Sequence, residues 1–197
     1  MVHNGLMARP IQFETDQARE RAMILFWRRG YQATSLPDLL EAMGISRSSF
    51  YAAFVDKRSL FADCLDLFAR RTHTLLDHAR QSHPPVGALR HFFERTFARA
   101  NEAQANWGCM LVNTVVELSG VDDNLSAQAS GHLSDVQAAF QRCLVDAGYS
   151  RRGAAELGAF LMVVNEGMRV SSRRGLARRQ QLERIDVAFR FLETARA

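Results

Sequence analysis

The segment Trp107-Gly108-Cys109-Met110-Leu111-Val112-Asn113-Thr114 places a thiol where a helix should begin. Free N–H groups and the helix dipole at such a position lower a thiol pKa and favour the nucleophilic thiolate. A free cysteine is also among the most buried residue types, and at the same place it allows close helix packing. Cys109 is therefore read two ways, as a sensing thiol or as a small core residue. Cys64 and Cys143 fall inside helical patterns and read as core. Three cysteines, widely spaced, fit neither a disulfide framework nor a zinc knuckle. Polar residues inside apolar stretches suggest a second chemistry, the orientation of a bound molecule in a mostly apolar cavity. Asn113, Glu117 and Asn165 are such residues, with Trp107, Cys109, Met110, Phe140, Phe160 and Arg169 as further members of the set and Phe68 and Phe97 as further aromatic walls. His73, His78, His83 and His91 lack the spacing of three or four that puts two metal ligands on one helix face, so no metal is expected. No P-loop, dinucleotide fingerprint, nucleophile elbow or metalloprotease helix is present, so neither a cofactor nor an enzymatic activity is expected.

The elements that must hold these residues are helices. The 197 residues include 27 Ala and 21 Leu, and the four prolines are Pro10, Pro37, Pro84 and Pro85. Proline-free stretches with apolar residues three and four apart read as helix, which makes the chain all-α. A mass of 22.2 kDa is enough to bury a sizeable core. The sequence has no run of about 18 apolar residues and no signal-peptide pattern, so a cytoplasmic protein without membrane contact is expected. The formal net charge of +4 is shared between the two halves and decides nothing about partners.

Residues 1–12 read as a flexible arm. A first helix should follow from about Thr15 to Arg29, capped by Thr15 or Asp16 and ended at Gly30. Ser35 and Asp38 resemble a capping box opening a short second helix, which Gly44 stops. Ser46 then caps a third, from Arg47 to Ala53. Two short helices joined by a glycine turn make a helix-turn-helix, whose second member presents its N-terminal residues to a DNA major groove. No acidic residue occurs between Glu41 and Asp56, so this surface does not repel phosphate. Lys57, the only lysine in the chain, stands at the start of a fourth helix, where free N–H groups already favour an anion. That helix should run to Gln81 and end at Ser82-His83-Pro84-Pro85. Further helices are expected near 86–104, 108–119, 123–147, 153–171 and 177–195. The division is a helix-turn-helix domain over 13–60 and a ligand-binding and dimerisation domain over 61–197.

Thr34, Leu36, Leu39, Gly44-Ile45-Ser46, Phe50-Tyr51, Phe54, Lys57 and Leu60 resemble the signature of the tetracycline-repressor (TetR) family of transcriptional regulators. The resemblance covers about residues 15–61. It implies an N-terminal three-helix DNA-binding domain, a helical ligand-binding and dimerisation domain, and a repressor released from a pseudo-palindromic, double-stranded operator by a small-molecule inducer. Thr34, Tyr51 and Lys57 look like phosphate contacts, and Arg47, Ser48 and Ser49 like base readers. Leu40, Met43, Ser48 and Ala52-Ala53 depart from the family pattern, leaving a reading helix with few long side chains. The Gly-Cys pair at 108–109 is similar to a branch of the family that responds to electrophiles or oxidants, so the inducer is expected to be apolar or electrophilic. The rival reading is a small all-α ligand carrier or enzyme in which the helix-turn-helix is only structural.

Arg169, Arg173, Arg174, Arg178, Arg179 and Arg184 form a second basic cluster, read as a solvated connection between the last two helices. On those helices Ala155, Gly158, Ala159 and Met162, then Ile185, Ala188, Phe189 and Leu192, are expected to form a four-helix homodimer interface, because small residues allow close approach and larger ones fill the seam.

Overall fold

A computed structural model describes residues 8–98, 104 and 106–194, and every described regular element is helical. The elements are α1 (Ala8–Arg29), α2 (Leu36–Met43), α3 (Arg47–Ala53), α4 (Lys57–Ser82), α5 (Pro85–Phe93), α6 (Met110–Leu118), α7 (Asp123–Asp146), α8 (Arg151–Ser172) and α9 (Arg178–Thr194). A π-turn, Glu94–Ala98, continues α5.

Local chemistry sets most boundaries. Ser35 accepts the Asp38 N–H while the Asp38 carboxylate accepts the Ser35 N–H, so each end of the capping box satisfies a donor of the other. Gly44, in the left-handed conformation, closes α2. Ser46 accepts from Ser49 N and opens α3, and Asp56 accepts from Ser59 N and opens α4. Two boundaries differ from expectation. Helix α1 begins at Ala8, so Thr15 and Asp16 lie inside it and cap nothing; residues 1–7 of the expected arm lie outside the described residues. The helix expected over 86–104 is α5 followed by the π-turn, and residues 99–103 lie outside the described residues.

Two hydrophobic cores are built along the long helix α4. The first joins Ala22, Phe26, Leu39, Met43, Phe50 and Leu60 of the helix-turn-helix to Leu65 and Phe68 of α4, Leu111 of α6 and Leu125 of α7. The second joins Leu76 of α4 to Phe92, Phe93, Phe140, Leu161, Ile185 and Phe189. The first core thus crosses residue 60 and takes in α6 and the start of α7, so the reading head is packed directly on the body. A bidentate pair from Arg58 to Asp122, at 2.6 and 2.9 Å, ties the start of α4 to the cap of α7. Arg58 holds the Asp122 carboxyl down at about 2.

The small residues of α8 serve this packing. A Cβ on Gly158 would stand 2.5 Å from Gln141 Cγ on α7, so the two helices approach through the missing side chain. Gly158, Met162, Ile185, Ala188, Phe189 and Leu192 are buried within the subunit. They do not form the outward interface expected of them; Ala155 alone of the eight is exposed, and Ala159 is half-buried. The outward apolar stripe of α8 is Ala155, Ala159, Val163 and Val170, and that of α9 is Val187 and Phe191. Phe160 and Phe191, with ring centroids 5.0 Å apart, join the two. On this account Gly158→Val overfills the α7–α8 contact and lowers stability by about 1–3 kcal/mol in urea unfolding.

Candidate nucleic-acid interface

Helix α3 is held by one side and offers the other. Phe50 is fully buried, and its ring meets Phe54 at 5.6 Å and Tyr51 at 5.3 Å. That anchoring turns Arg47, Ser48, Ser49 and Tyr51 to the exposed side, with Tyr51 55% exposed. The Ser46 hydroxyl is hydrogen-bonded to those of Ser48 and Ser49, at 2.8 and 2.9 Å, which fixes both at the helix start. Lys57 is the first residue of α4, and its ammonium lies 4.2 Å from the centre of the Tyr31 ring. Burial lowers its pKa, opposed by the negative charge of Glu117. Arg47, Ser48, Ser49 and Tyr51 give α3 an exposed, basic and hydroxyl-bearing side, and Lys57 adds a positive charge at the start of the next helix, features suited to phosphate and base edges.

Thr34 is not on that face. It is fully buried, and its hydroxyl donates to the Gly30 carbonyl at 2.7 Å, so the side chain expected at a phosphate instead braces the α1–α2 turn.

Glu117 also belongs to this turn rather than to a ligand cavity. From the end of α6 its carboxylate accepts the N–H of Tyr31 at 3.0 Å and of Gln32 at 2.7 Å. Gly30, with φ +87°, lies so close that a Cβ there would stand 2.6 Å from Glu117 Oε2. A polar residue in an apolar stretch signalled importance here, but its partner is the backbone of the reading head.

A cleft of about 360 Å³ opens between the two cores, walled by Met23 and Trp27 of α1, Phe68 and Arg71 of α4, Arg95 and Phe97 of the π-turn, Gly108, and Arg169 and Ser172 of α8. Of the expected ligand set only Arg169 lines it, with Phe68 and Phe97 as the aromatic walls. Trp107 stands edge-to-face against Trp27 at 5.3 Å, and Asn113 donates to the Trp107 carbonyl at 2.8 Å. Cys109 is the cap position of α6, 4% exposed and without a capping hydrogen bond from its side chain. Met110 and Phe140 are core, Phe160 stacks on Phe191, and Asn165 is buried on α8 with its amide nitrogen 3.9 Å from Met162 Sδ. The signal that would have found Trp27 and Arg95 is absent from local sequence, because their neighbours in the cleft come from distant segments. Cys64 and Cys143 are buried, and burial pushes both thiols up. Among the described residues no three His, Cys, Asp or Glu side chains gather to hold a metal, and no helix is long and apolar enough to cross a membrane.

The sequence matches two family models in the order of these parts. Residues 19–64 match that of the bacterial regulatory proteins, tetR family, and residues 85–186 that of the LmrA/YxaF-like transcriptional regulator C-terminal domain. The HTH-type transcriptional repressor ComR of Escherichia coli is 31% identical over 180 residues, covering 85% of this chain and 83% of that protein. The chain belongs to the TetR family of transcriptional regulators. The repressor DhaR of Mycobacterium sp. is 28% identical over 131 residues, covering 64% of this chain and 63% of its own. A cysteine mutant of the TetR family regulator CifR, solved with 26-base-pair operator DNA, superposes with a TM-score of 0.72 at 28% identity, covering 89% of this chain and 94% of that one. A TetR protein from Rhodobacter sphaeroides, with a TM-score of 0.79 at 19% identity, covering 89% of this chain and 97% of that one, shares the fold.

Within this TetR fold, the two lowest turns of the reading head separate by experiment. Lys57→Ala flattens the slope of log K against log salt by about one unit per subunit, whereas Thr34→Val leaves the slope unchanged and costs about 1 kcal/mol of stability. Glu117→Gln, which keeps shape but weakens acceptance by the carboxylate, lowers stability by about 1–3 kcal/mol as read by thermal unfolding.

Proposed function

We propose that the chain is a homodimeric transcriptional repressor that lays α3 of each subunit into the major groove of a pseudo-palindromic operator and leaves it when a small molecule occupies the cleft. The observation that carries this reading is the exposed face of α3. It is free of acidic residues from position 42 to 55, anchored from behind by Phe50, and flanked by Lys57 at a helix N-terminus. Arg47, Ser48 and Ser49 are the base readers in this reading, and Tyr51 and Lys57 contact phosphate. ComR is a repressor by name and CifR was solved on operator DNA, which supports the same assignment here.

Dimerisation uses the outward stripes of α8 and α9, where Val163 is 67% exposed and Phe191 53%. A two-fold axis through these stripes sets the reading heads apart by a fixed spacing, and the operator half-sites mirror it. The contacts of the cleft support a route for release. The cleft touches α1 directly and touches α6 through Gly108, and the far end of α6 holds Tyr31 and Gln32 through Glu117.

The test is a gel shift with the DNA upstream of the protein's own gene. A specific shift is expected at physiological salt, with a slope of about −5 to −9 in log K against log salt for 6–10 neutralised phosphates. Absence of a shift there would promote the ligand carrier or enzyme with a structural helix-turn-helix. Val163→Asp combined with Phe191→Asp should yield a folded monomer by sedimentation velocity, with operator affinity down at least tenfold.

A further inference from the structure

Arg169 is 9% exposed on α8, and its guanidinium faces the Phe97 ring at 5.0 Å. Among the described residues no carboxylate pairs with it, and its Nε has no hydrogen-bond partner. Burial lowers its pKa, and the titratable neighbour that acts on it is the Cys109 thiol. A guanidinium still carries its charge in such surroundings, and a buried charge without a partner is costly unless something completes the site. The neighbouring cation in the same cleft is treated differently: Arg71 is answered by Glu20 at 2.6 Å. Arg95 adds a further positive charge to the wall, so among the described lining residues three cations face one carboxylate.

The rest of the lining is apolar and aromatic. Met23 and Trp27 come from α1, Phe68 from α4 and Phe97 from the π-turn. The π-turn makes this possible, because its wider winding lets Arg95, Thr96 and Phe97, three consecutive residues, all border one cavity. A planar guanidinium lying on an aromatic ring, with its Nε unpaired and no carboxylate paired with it among the described residues, is the arrangement that accepts a carboxylate or similar acid in bidentate fashion.

We propose that the cleft binds an organic acid, its anionic group paired with Arg169 and its apolar body lying against Trp27, Phe68 and Phe97. This rests on the repressor reading above and names the chemical class of the effector. An uncharged apolar molecule leaves Arg169 buried and unanswered, so charge rather than bulk selects the ligand. The same pairing draws together α8, the π-turn and α1, the helix that ends at the reading head.

Binding is measured on the full chain without DNA, by calorimetry and by the emission of Trp27 and Trp107, the chain's two tryptophans. The probes are matched pairs, octanoate with octanamide and 2-naphthoate with 2-naphthamide. At least one acid is expected to bind tenfold or more tightly than its amide. Arg169→Met should fold with an unchanged or raised Tm, because it removes an unanswered buried charge, and should lose the preference. Arg169→Lys should keep part of it, and Cys109→Ser all of it. Equal binding of acids and amides, no binding of either acid, or retention of the preference in Arg169→Met overturns the proposal. Loss of the preference in Cys109→Ser also overturns it, because the selectivity would then come from the cysteine side chain and not from the guanidinium. An operator shift measured on the same protein separates the two failures. With the shift intact the ligand class alone is wrong; without it the repressor reading falls, whatever the cleft binds.

Discussion

The carboxylate of Glu117 is the contact on which the arrangement of reading head and body turns. It sits one residue from the end of α6, where the helix dipole disfavours a negative charge by about 0.3–1 kcal/mol. The tertiary structure reverses that local cost. Two backbone N–H groups of the α1–α2 turn, left without helical acceptors, donate to this one carboxylate, and the Lys57 charge lies in its field. Gly30 provides the space, and Thr34 closes the turn from below by donating to the Gly30 carbonyl. The orientation of α2 and α3 relative to the body therefore depends on where α6 ends.

The start of α6 depends in turn on the cleft. Trp27 of α1 donates to the Gly108 carbonyl at 3.2 Å, and Asn113 holds the Trp107 carbonyl. Gly108 itself borders the cleft. The cavity lies where the two hydrophobic cores fail to merge, with Met23 and Phe68 from one and Phe97 from the other. Helix α4 spans both cores, so it fixes their separation, while the π-turn departs from regular winding just where the gap must be lined. A seam of this kind combines an apolar wall with access for a polar group, because neither core covers it.

Local features were legible in the sequence because their chemistry is local. The capping box of Ser35 and Asp38, the stop at Gly44 and the cap at Ser46 each depend on residues within four positions. The exposed face of α3 followed from the same spacing. What failed was the choice of neighbour. Helix α8 carries apolar residues on two faces, Leu157, Leu161 and Met168 inward and Val163 and Val170 outward, so periodicity marked it as helix without saying which face meets another subunit. Small residues there were read as a seam between subunits, and Gln141 of α7 occupies that space instead. Glu117 and Thr34 share one cause of misreading. Each is polar in a setting that suggests a ligand or DNA, and each is consumed by backbone groups of a turn that no local pattern announces. Arg169 read in the sequence as one cavity candidate among several and as part of a solvated basic cluster, and its isolation emerged only from the packing of α8 against the π-turn.

Two paths join the cleft to the DNA face, one along α1 and one along α6, and they converge on the same five residues from Gly30 to Thr34. A molecule in the cleft changes operator affinity only through a difference in its affinity for two positions of these helices; equal affinity for both shifts nothing, however tight the binding. An unanswered charge supplies such a difference readily. Its pairing energy rises steeply as the guanidinium and the acid close to contact in a poorly solvated cleft, so a small displacement of α1 relative to α8 separates a strong site from a weak one. A hundredfold difference corresponds to about 2.7 kcal/mol of coupling. That is comparable to the contribution of the two hydrogen bonds at Glu117, about 1.5–3 kcal/mol each when the acceptor is charged. An effector that supplied such a difference would work against contacts of similar strength at the turn, which is the condition for one to move the other without unfolding either.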